Sequence, residues 1–373
     1  MILRIAKPAI IGLLYIALFL LLPDGSFSYQ QDFSVLYYTT LALKNGIAVY
    51  DHPQQLLFLK DITPAGFQFH PFPYPPWFAL VFYPFVFTPA AVAAKLWAAA
   101  NFAMLAASGW LLSASFRPWM RHAAMAALIF FAPALGLILV GQYSAPILLG
   151  VTLLATALPS KKLPATVAGL LLLTLKPHLG LIGLLAILPW LNNQRTFAWQ
   201  LAKWLGPALL VLGLASLLAD ERWPVTYVAS LQQYSRLPGV TSCEHCASIS
   251  ALAGRIWLGD GWLYSAGVGL FVLLMAATWQ FRRGFFQKPQ MALAASYCIG
   301  LAFLPYIQRY DMILIAPAWF GLAGKKPIWW LLAPASYLIL ASPPALQVVL
   351  AMLPVLVGAV YLLGYIDQLD KQA

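Results

Sequence analysis

LPATVAGLLLLTLKPHLGLIGLLAILPWLNN, residues 163–193, decides the fold. Two apolar runs, 163–175 and 178–191, meet at Lys176-Pro177-His178. Proline stops a helix that reaches it from the N-terminal side. The stretch therefore reads as an apolar helical hairpin with two ionisable side chains at its corner. Such side chains are expensive at membrane depth, so they are functional candidates by default.

Outward from this hairpin the pattern repeats. Apolar segments fall at about 8–22, 73–87, 90–114, 123–140, 144–158, 201–219, 261–280, 290–304, 311–323, 328–342 and 345–364, with Pro, Gly and Lys/Arg at most of the breaks. The chain is 62% hydrophobic and 9% charged, against about 25% charged in a soluble domain. Its mean hydropathy is +0.80. This predicts an all-α polytopic membrane protein, a single integral domain over 1–373 with about 12–13 spanning segments. Ile10–Leu22 follows Arg4 and Lys7, and no small-x-small cleavage site precedes Pro23-Asp24. It is expected to be the first transmembrane helix rather than a removed signal.

The net charge of +11 is scattered between apolar runs and forms no Lys/Arg stripe. It reads as membrane-flanking charge, and no nucleic-acid partner is expected. Placing Arg4/Lys7, Lys161/Lys162, Arg195/Lys203, Arg282/Arg283/Lys288 and Lys325/Lys326 in the cytoplasm puts nine of the eleven acidic residues outside. The outer polar stretches are then 23–72 and 220–260. Counting every segment as a crossing gives the wrong parity for a cytoplasmic C-terminus. One segment between about 73 and 160 must fail to cross, or a long one must be two. Segments 144–158 and 163–175 are also short for a full span.

Within the first outer stretch, Phe33, Leu36, Tyr37, Leu41 and Leu43 give a partial apolar face, and Asn45-Gly46 is a stop signal. An interfacial helix is expected there. Asp32 falls at its start, as an N-cap or as a general base at the mouth of a membrane cavity. Lys176 and His178 are either a helix-end lysine with its neighbour or two donors aimed at a phosphate. In Gln308-Arg309-Tyr310-Asp311, Arg309 and Asp311 either satisfy each other or Arg309 grips a phosphate bidentately. Tyr74 before Pro75-Pro76, with His70 upstream, and Gln142 in Gly141-Gln142-Tyr143 are structural or substrate-contacting. Cys243-Glu244-His245-Cys246 lacks the second pair of a structural zinc site, leaving a disulfide, an incidental pair or a metal or redox site.

The sequence has no Walker loop, no dinucleotide-binding glycine fingerprint, no H-E-x-x-H and no D-x-D pair. No metal or other cofactor is expected. A transferred group would arrive in the membrane, on a lipid. A transporter or flippase of lipid-linked glycans is the alternative, but the halves show no internal repeat.

Several pieces together resemble glycosyltransferase family 87, relatives of the polyprenyl-phosphate-mannose-dependent mannosyltransferases. They are Asp32 with Tyr37-Tyr38; Gly46 with Val49-Tyr50-Asp51; Phe72-x-Tyr74-Pro75-Pro76; Leu96-Trp97 with Asn101; Gly141-Gln142; Lys176-Pro177-His178; Ser248 to Arg255; and Tyr310-Asp311. The resemblance implies a GT-C-type fold. It also implies an inverting transfer from a polyprenyl-phosphate sugar to a lipid or glycan acceptor, at the outer face of a bacterial inner membrane. It implies Asp32 as the base. Lys176, His178 and Arg309 are then the candidates for the donor phosphate, and Tyr74, Gln142, Asp311 and Asp51 for substrate contacts.

Overall fold

The computed structural model describes residues 21, 31–63, 67, 69–236, 246–256, 267–275, 288–340 and 352–362. Among the described residues the regular structure is α-helix and short 3-10 helix, with one isolated antiparallel bridge between Cys246 and Gln308. The protein is all-α. Among the described residues two helices are long and apolar enough to cross a bilayer, Ala90–Leu112 and Arg195–Leu218. The second buries only 11% of its most apolar window. Trp199, Trp204, Leu210, Val211 and Leu214 stand exposed along it. A contiguous apolar surface of this kind belongs in hydrocarbon rather than water. The expected helix Ile10–Leu22 lies almost wholly outside the described residues, as do Cys243, Glu244, His245 and much of segments 261–280 and 345–364.

The chain forms two compact units, each assembled from separated segments. The first contains Met1–Ala103, Leu137–Tyr143 and Pro207–Leu237. Its helix Gln31–Lys44 ends where the sequence signals. Gly46 N–H donates to Leu43 O at 2.9 Å and Ile47 N–H to Ala42 O at 3.1 Å, with Gly46 at φ +82°, a Schellman closure. Burial runs round much of the helix rather than along a single face. Phe33, Leu36, Thr40 and Ala42 are buried, and so are Ser34, Val35, Tyr37, Tyr38 and Thr39. The polar positions between 34 and 40 are small hydroxyls or tyrosines that can go inside, and Tyr37 Oη donates to Thr88 O at 2.8 Å.

Segment 73–87 packs on that helix as a seven-residue α-helix, Pro76–Phe82, continued by a five-residue 3-10 helix, Tyr83–Phe87. At about 1.5 and 2 Å per residue this reaches only about 20 Å, short of the roughly 30 Å hydrocarbon core. Phe82 stacks on Phe85 and meets Phe33 edge-on.

The polar stretches 23–72 and 220–260 join in this unit. Val49 N–H donates to Ala219 O at 3.0 Å, and Ser230 Oγ to Phe72 O at 2.9 Å. Tyr50 packs against Tyr227, and His52 Nδ1 lies 2.8 Å from Gln233 Oε1. Burial lowers the His52 pKa, against the opposing pull of the Gln233 hydrogen bond and of Asp51.

The second unit contains Met104–Gly136, Ser144–Gly206 and Pro238–Ala373. Helices Ser144–Ala157 and Leu163–Leu173 form a hairpin. Gly150 and Gly169 bring their backbones together. A Cβ on either would fall within 2.9 Å of the other's carbonyl oxygen, so only glycine allows this approach. Segment 123–140 is two helices, Pro118–Ile129 and Ala132–Val140, bent by 55°. The break at Phe130-Phe131 precedes Pro133, which fits the first turn of a new helix but not the interior of a continuing one. Pro289–Phe303 packs against Pro177–Asn193. Tyr297 Oη donates to Leu179 O at 3.0 Å.

Candidate active site

The hairpin corner at Lys176 is built by three elements of the second unit. Leu163–Leu173 ends, Lys176 turns with φ −133° as the N-cap of the next helix, and Pro177 opens that helix. Ser144 starts the helix Ser144–Ala157. The third element is the turn into the 3-10 helix Arg309–Ile315, where Gln308 and Asp311 form a reciprocal capping box. Asp311 Oδ2 accepts from Gln308 N–H at 3.0 Å. Asp311 Oδ1 accepts from Ser144 Oγ at 2.5 Å and from Lys176 Nζ at 2.6 Å. Lys176 Nζ also donates to Ser144 Oγ at 3.3 Å and lies 5.1 Å from the Tyr310 ring centroid. Asp311, Lys176 and Ser144 are all buried.

The sequence offered Arg309 and Asp311 as partners for each other. The carboxylate instead takes Lys176, because the 3-10 turn aims Asp311 into the protein, and Arg309 is left half-buried. Direct substrate contact by Asp311 was the other expectation. Its carboxylate is buried and engaged by Ser144, Lys176 and Gln308. Beside this core, His178 is exposed, with its ring edge-on to Tyr306 at 6.1 Å. The strand-like bridge from Cys246 to Gln308, with Ala247 N–H donating to Ile307 O at 2.7 Å, ties the second polar stretch to the same turn. Cys246 is disulfide-bonded, and Cys298 is free and buried. Among the described residues no group of three or more His, Cys, Asp or Glu could hold a metal.

The first unit carries the other candidates. Asp32 is half-buried in the first turn of Gln31–Lys44, within the helix. An acid there is favoured by the helix dipole. Asp51 caps the helix His52–Leu59, its Oδ1 accepting from Gln54 N–H at 3.2 Å. Tyr74 is buried among aromatic rings, 4.4 Å from Tyr143 and 5.7 Å from Phe78. Its carbonyl accepts Tyr50 Oη at 2.6 Å. Gln142 is buried too, and its Oε1 accepts from Tyr143 N–H at 2.9 Å. The preceding Gly141, at φ +69°, has its carbonyl held by Trp97 Nε1 at 2.7 Å. Tyr74 and Gln142 are buried in the core, and Asp51 caps the start of a helix.

Ser144 and the His52–Gln233 pair were missed from sequence. Ser144 had one signal, a hydroxyl opening an apolar run directly after Gly141-Gln142-Tyr143.

Compared with known families, the chain matches the profile of glycosyltransferase family 87 over residues 72–317, well over half its length. The chain belongs to glycosyltransferase family 87. No curated protein and no solved structure matches it. The matched span of this glycosyltransferase holds Tyr74, Gln142, Lys176, His178, Arg309 and Asp311, whereas Asp32 and Asp51 precede it. The protein is thus a membrane glycosyltransferase, with a sugar donor and an acceptor as its partners.

Proposed function

We propose that this glycosyltransferase moves a mannose-like monosaccharide from a polyprenyl-phosphate carrier to a hydroxyl of a lipid or glycan acceptor, at the outer face of the membrane. The observation that carries the reading is the corner at Lys176. A buried lysine is locked by Asp311 and Ser144 at the meeting of three apolar elements, with His178 exposed and Arg309 half-buried beside it. A phosphate on a membrane-embedded chain needs donors at the end of an apolar helix bundle, and that corner supplies them. Cys246 in a disulfide supports an oxidising, outer location for the 220–260 stretch.

In the reaction, the acceptor hydroxyl oxygen attacks the anomeric carbon as its proton passes to Asp32. The bond from that carbon to the phosphate oxygen breaks, and polyprenyl phosphate leaves with the electron pair. One displacement inverts the configuration through an oxocarbenium-like state. Charge growing on the leaving phosphate is met by Arg309, which can bind it bidentately, by His178 as hydrogen-bond or proton donor, and by Lys176 as a fixed positive charge. Asp311 holds Lys176 in place, and these cations supply the charge that a metal would otherwise bring. Tyr74, Gln142 and Asp51 act by shaping the walls and the outer stretch around the acceptor.

The test is donor choice. Membranes containing the protein receive either a labelled polyprenyl-phosphate mannose or a labelled nucleotide mannose, with carrier-charging enzymes absent. Transfer from the lipid donor alone is expected, and Arg309→Lys raises the donor KM. Transfer from the nucleotide sugar alone overturns the proposal.

A further inference from the structure

The second unit has a basic corner on which the catalytic reading makes no demand. Arg121 lies flat on Trp110, its Cζ 3.6 Å from the ring centroid, and its Nη2 donates to Trp110 O at 3.3 Å. His122 meets the same indole edge-on at 5.8 Å, and its Nδ1 lies 3.0 Å from Pro118 O. That carbonyl can only accept, so Nδ1 carries the proton and Nε2 is an acceptor when the ring is neutral. Arg117 is the N-cap of Pro118–Ile129, and its side chain makes no capping bond.

A second connection joins this one. The Phe116 ring stacks on Phe320 at 6.4 Å and meets Trp330 edge-on at 5.9 Å. It also lies against Gly324, where an added Cβ would come within 2.6 Å of the ring. Phe116 is next to Arg117, and Gly324 is next to the exposed Lys325 and Lys326. Two loops with four Lys/Arg between them are thereby clamped together. Neither contains an acid: the sequence has no Asp or Glu from 62 to 219 or from 312 to 366. Arg117, Arg121 and Lys326 have no carboxylate partner among the described residues. Around the cations, Trp119, Ile328 and Leu331 are 67%, 64% and 58% exposed.

Stacking on tryptophan desolvates one face of a guanidinium while leaving its charge intact; Arg121 Nη2 is held by Trp110 O, and its Nε is buried with no hydrogen-bond partner among the described residues. Cations next to exposed tryptophan and aliphatic groups match a molecule with a phosphate at one end and hydrocarbon at the other. Lys/Arg excess marks the cytoplasmic side, and the clamp puts the 113–122 loop on the same side as Lys325-Lys326. We propose that this corner binds the headgroup phosphate of an anionic phospholipid of the cytoplasmic leaflet. Arg117, Arg121 and Lys326 take the phosphate, and Trp119, Ile328 and Leu331 lie along the first acyl carbons. The site is independent of the transfer chemistry and stands or falls apart from it.

The assignment also repairs the parity of the crossings. With 113–122 inside, Ala90–Leu112 runs inward, the bent pair Pro118–Ile129 and Ala132–Val140 runs outward together, and 73–87 does not cross.

Native mass spectrometry of the full chain, supplied with phosphatidylglycerol and phosphatidylcholine at equal concentration, measures the binding. Phosphatidylglycerol is expected to be retained selectively. Arg117→Gln with Arg121→Gln should weaken it by more than tenfold, since each cation contributes about fivefold. Lys203→Gln, a cation elsewhere on the same side, should leave it unchanged. Should the arginine pair fail to fold, the exposed pair Lys325→Gln with Lys326→Gln is expected to show a loss of similar size. Equal retention of both lipids, unchanged binding in the variants, or displacement by millimolar inorganic phosphate would each overturn the proposal. His122→Cys should be labelled by an impermeant maleimide in inside-out vesicles and not in intact cells. Labelling from outside would also overturn it.

Discussion

At the scale of single residues, the largest electrostatic commitment is Asp311. Removing one partner from a buried ion pair leaves a charge without compensation and costs about 3–5 kcal/mol. Asp311→Asn is therefore expected to lower the unfolding free energy by that order in detergent, with donor use lost as Lys176 moves. Replacing both, as Lys176→Met with Asp311→Leu, should recover most of the stability and none of the donor use. If the double variant transfers sugar normally, the corner is only structural. Thr152 tests the opposite case. Its Oγ1 is buried with no hydrogen-bond partner among the described residues, so Thr152→Val should raise stability by about 1 kcal/mol, seen as a higher melting temperature; a lower one contradicts the assignment. The sequence made Lys176, His178, Arg309 and Asp311 visible because charges are rare in this chain. It could not pair them. Asp311 is two residues from Arg309 and 135 from Lys176, and only the 3-10 turn and its capping box decide which it reaches.

At the scale of elements, the clearest link is between the two polar stretches 23–72 and 220–260. His52 of the helix His52–Leu59 contacts Gln233 of Trp223–Ser235, and Ser230 Oγ lies 3.5 Å from its Nε2. Its pKa is lowered by burial. Above about 6.5, the ordinary histidine value, His52 is neutral in the folded and unfolded chain alike. Below it the unfolded chain takes a proton that the folded chain resists, so stability falls as pH drops through the folded pKa. Melting temperatures between pH 8 and pH 5 should decline on the acid side in the parent and decline less in His52→Gln. Parallel curves would count against a buried neutral His52. The pairing was illegible in sequence because 181 residues separate the partners. The element boundaries were far more legible: Asn45-Gly46 ended its helix, and Pro and Lys marked the hairpin. The packing of Gln31–Lys44 was less legible, since Ser and Thr count as polar in a pattern and yet pack inside, as Ser34, Thr39 and Thr40 do.

At the scale of the whole molecule, the all-α membrane architecture was legible from hydropathy because apolar runs long enough to matter have few other uses. Crossing parity was not, because a run such as 73–87 reads as a span in hydropathy although its α-helix and 3-10 continuation reach only about 20 Å. Cysteines placed at Lys60 and at Thr88, flanking that segment, should both react with an impermeant reagent from the same side of the membrane; opposite sides would restore it as a crossing. The central claim remains the chemistry at Asp32, which lies before the family match and half-buried in the first turn of its helix. The measurement that tests it most directly is the initial rate of mannose transfer from polyprenyl-phosphate mannose by Asp32→Asn at saturating donor. A fall of about 10²- to 10⁴-fold, with unchanged melting temperature and donor KM, is the predicted result. An Asp32→Asn variant that transfers sugar as fast as the parent would contradict the account.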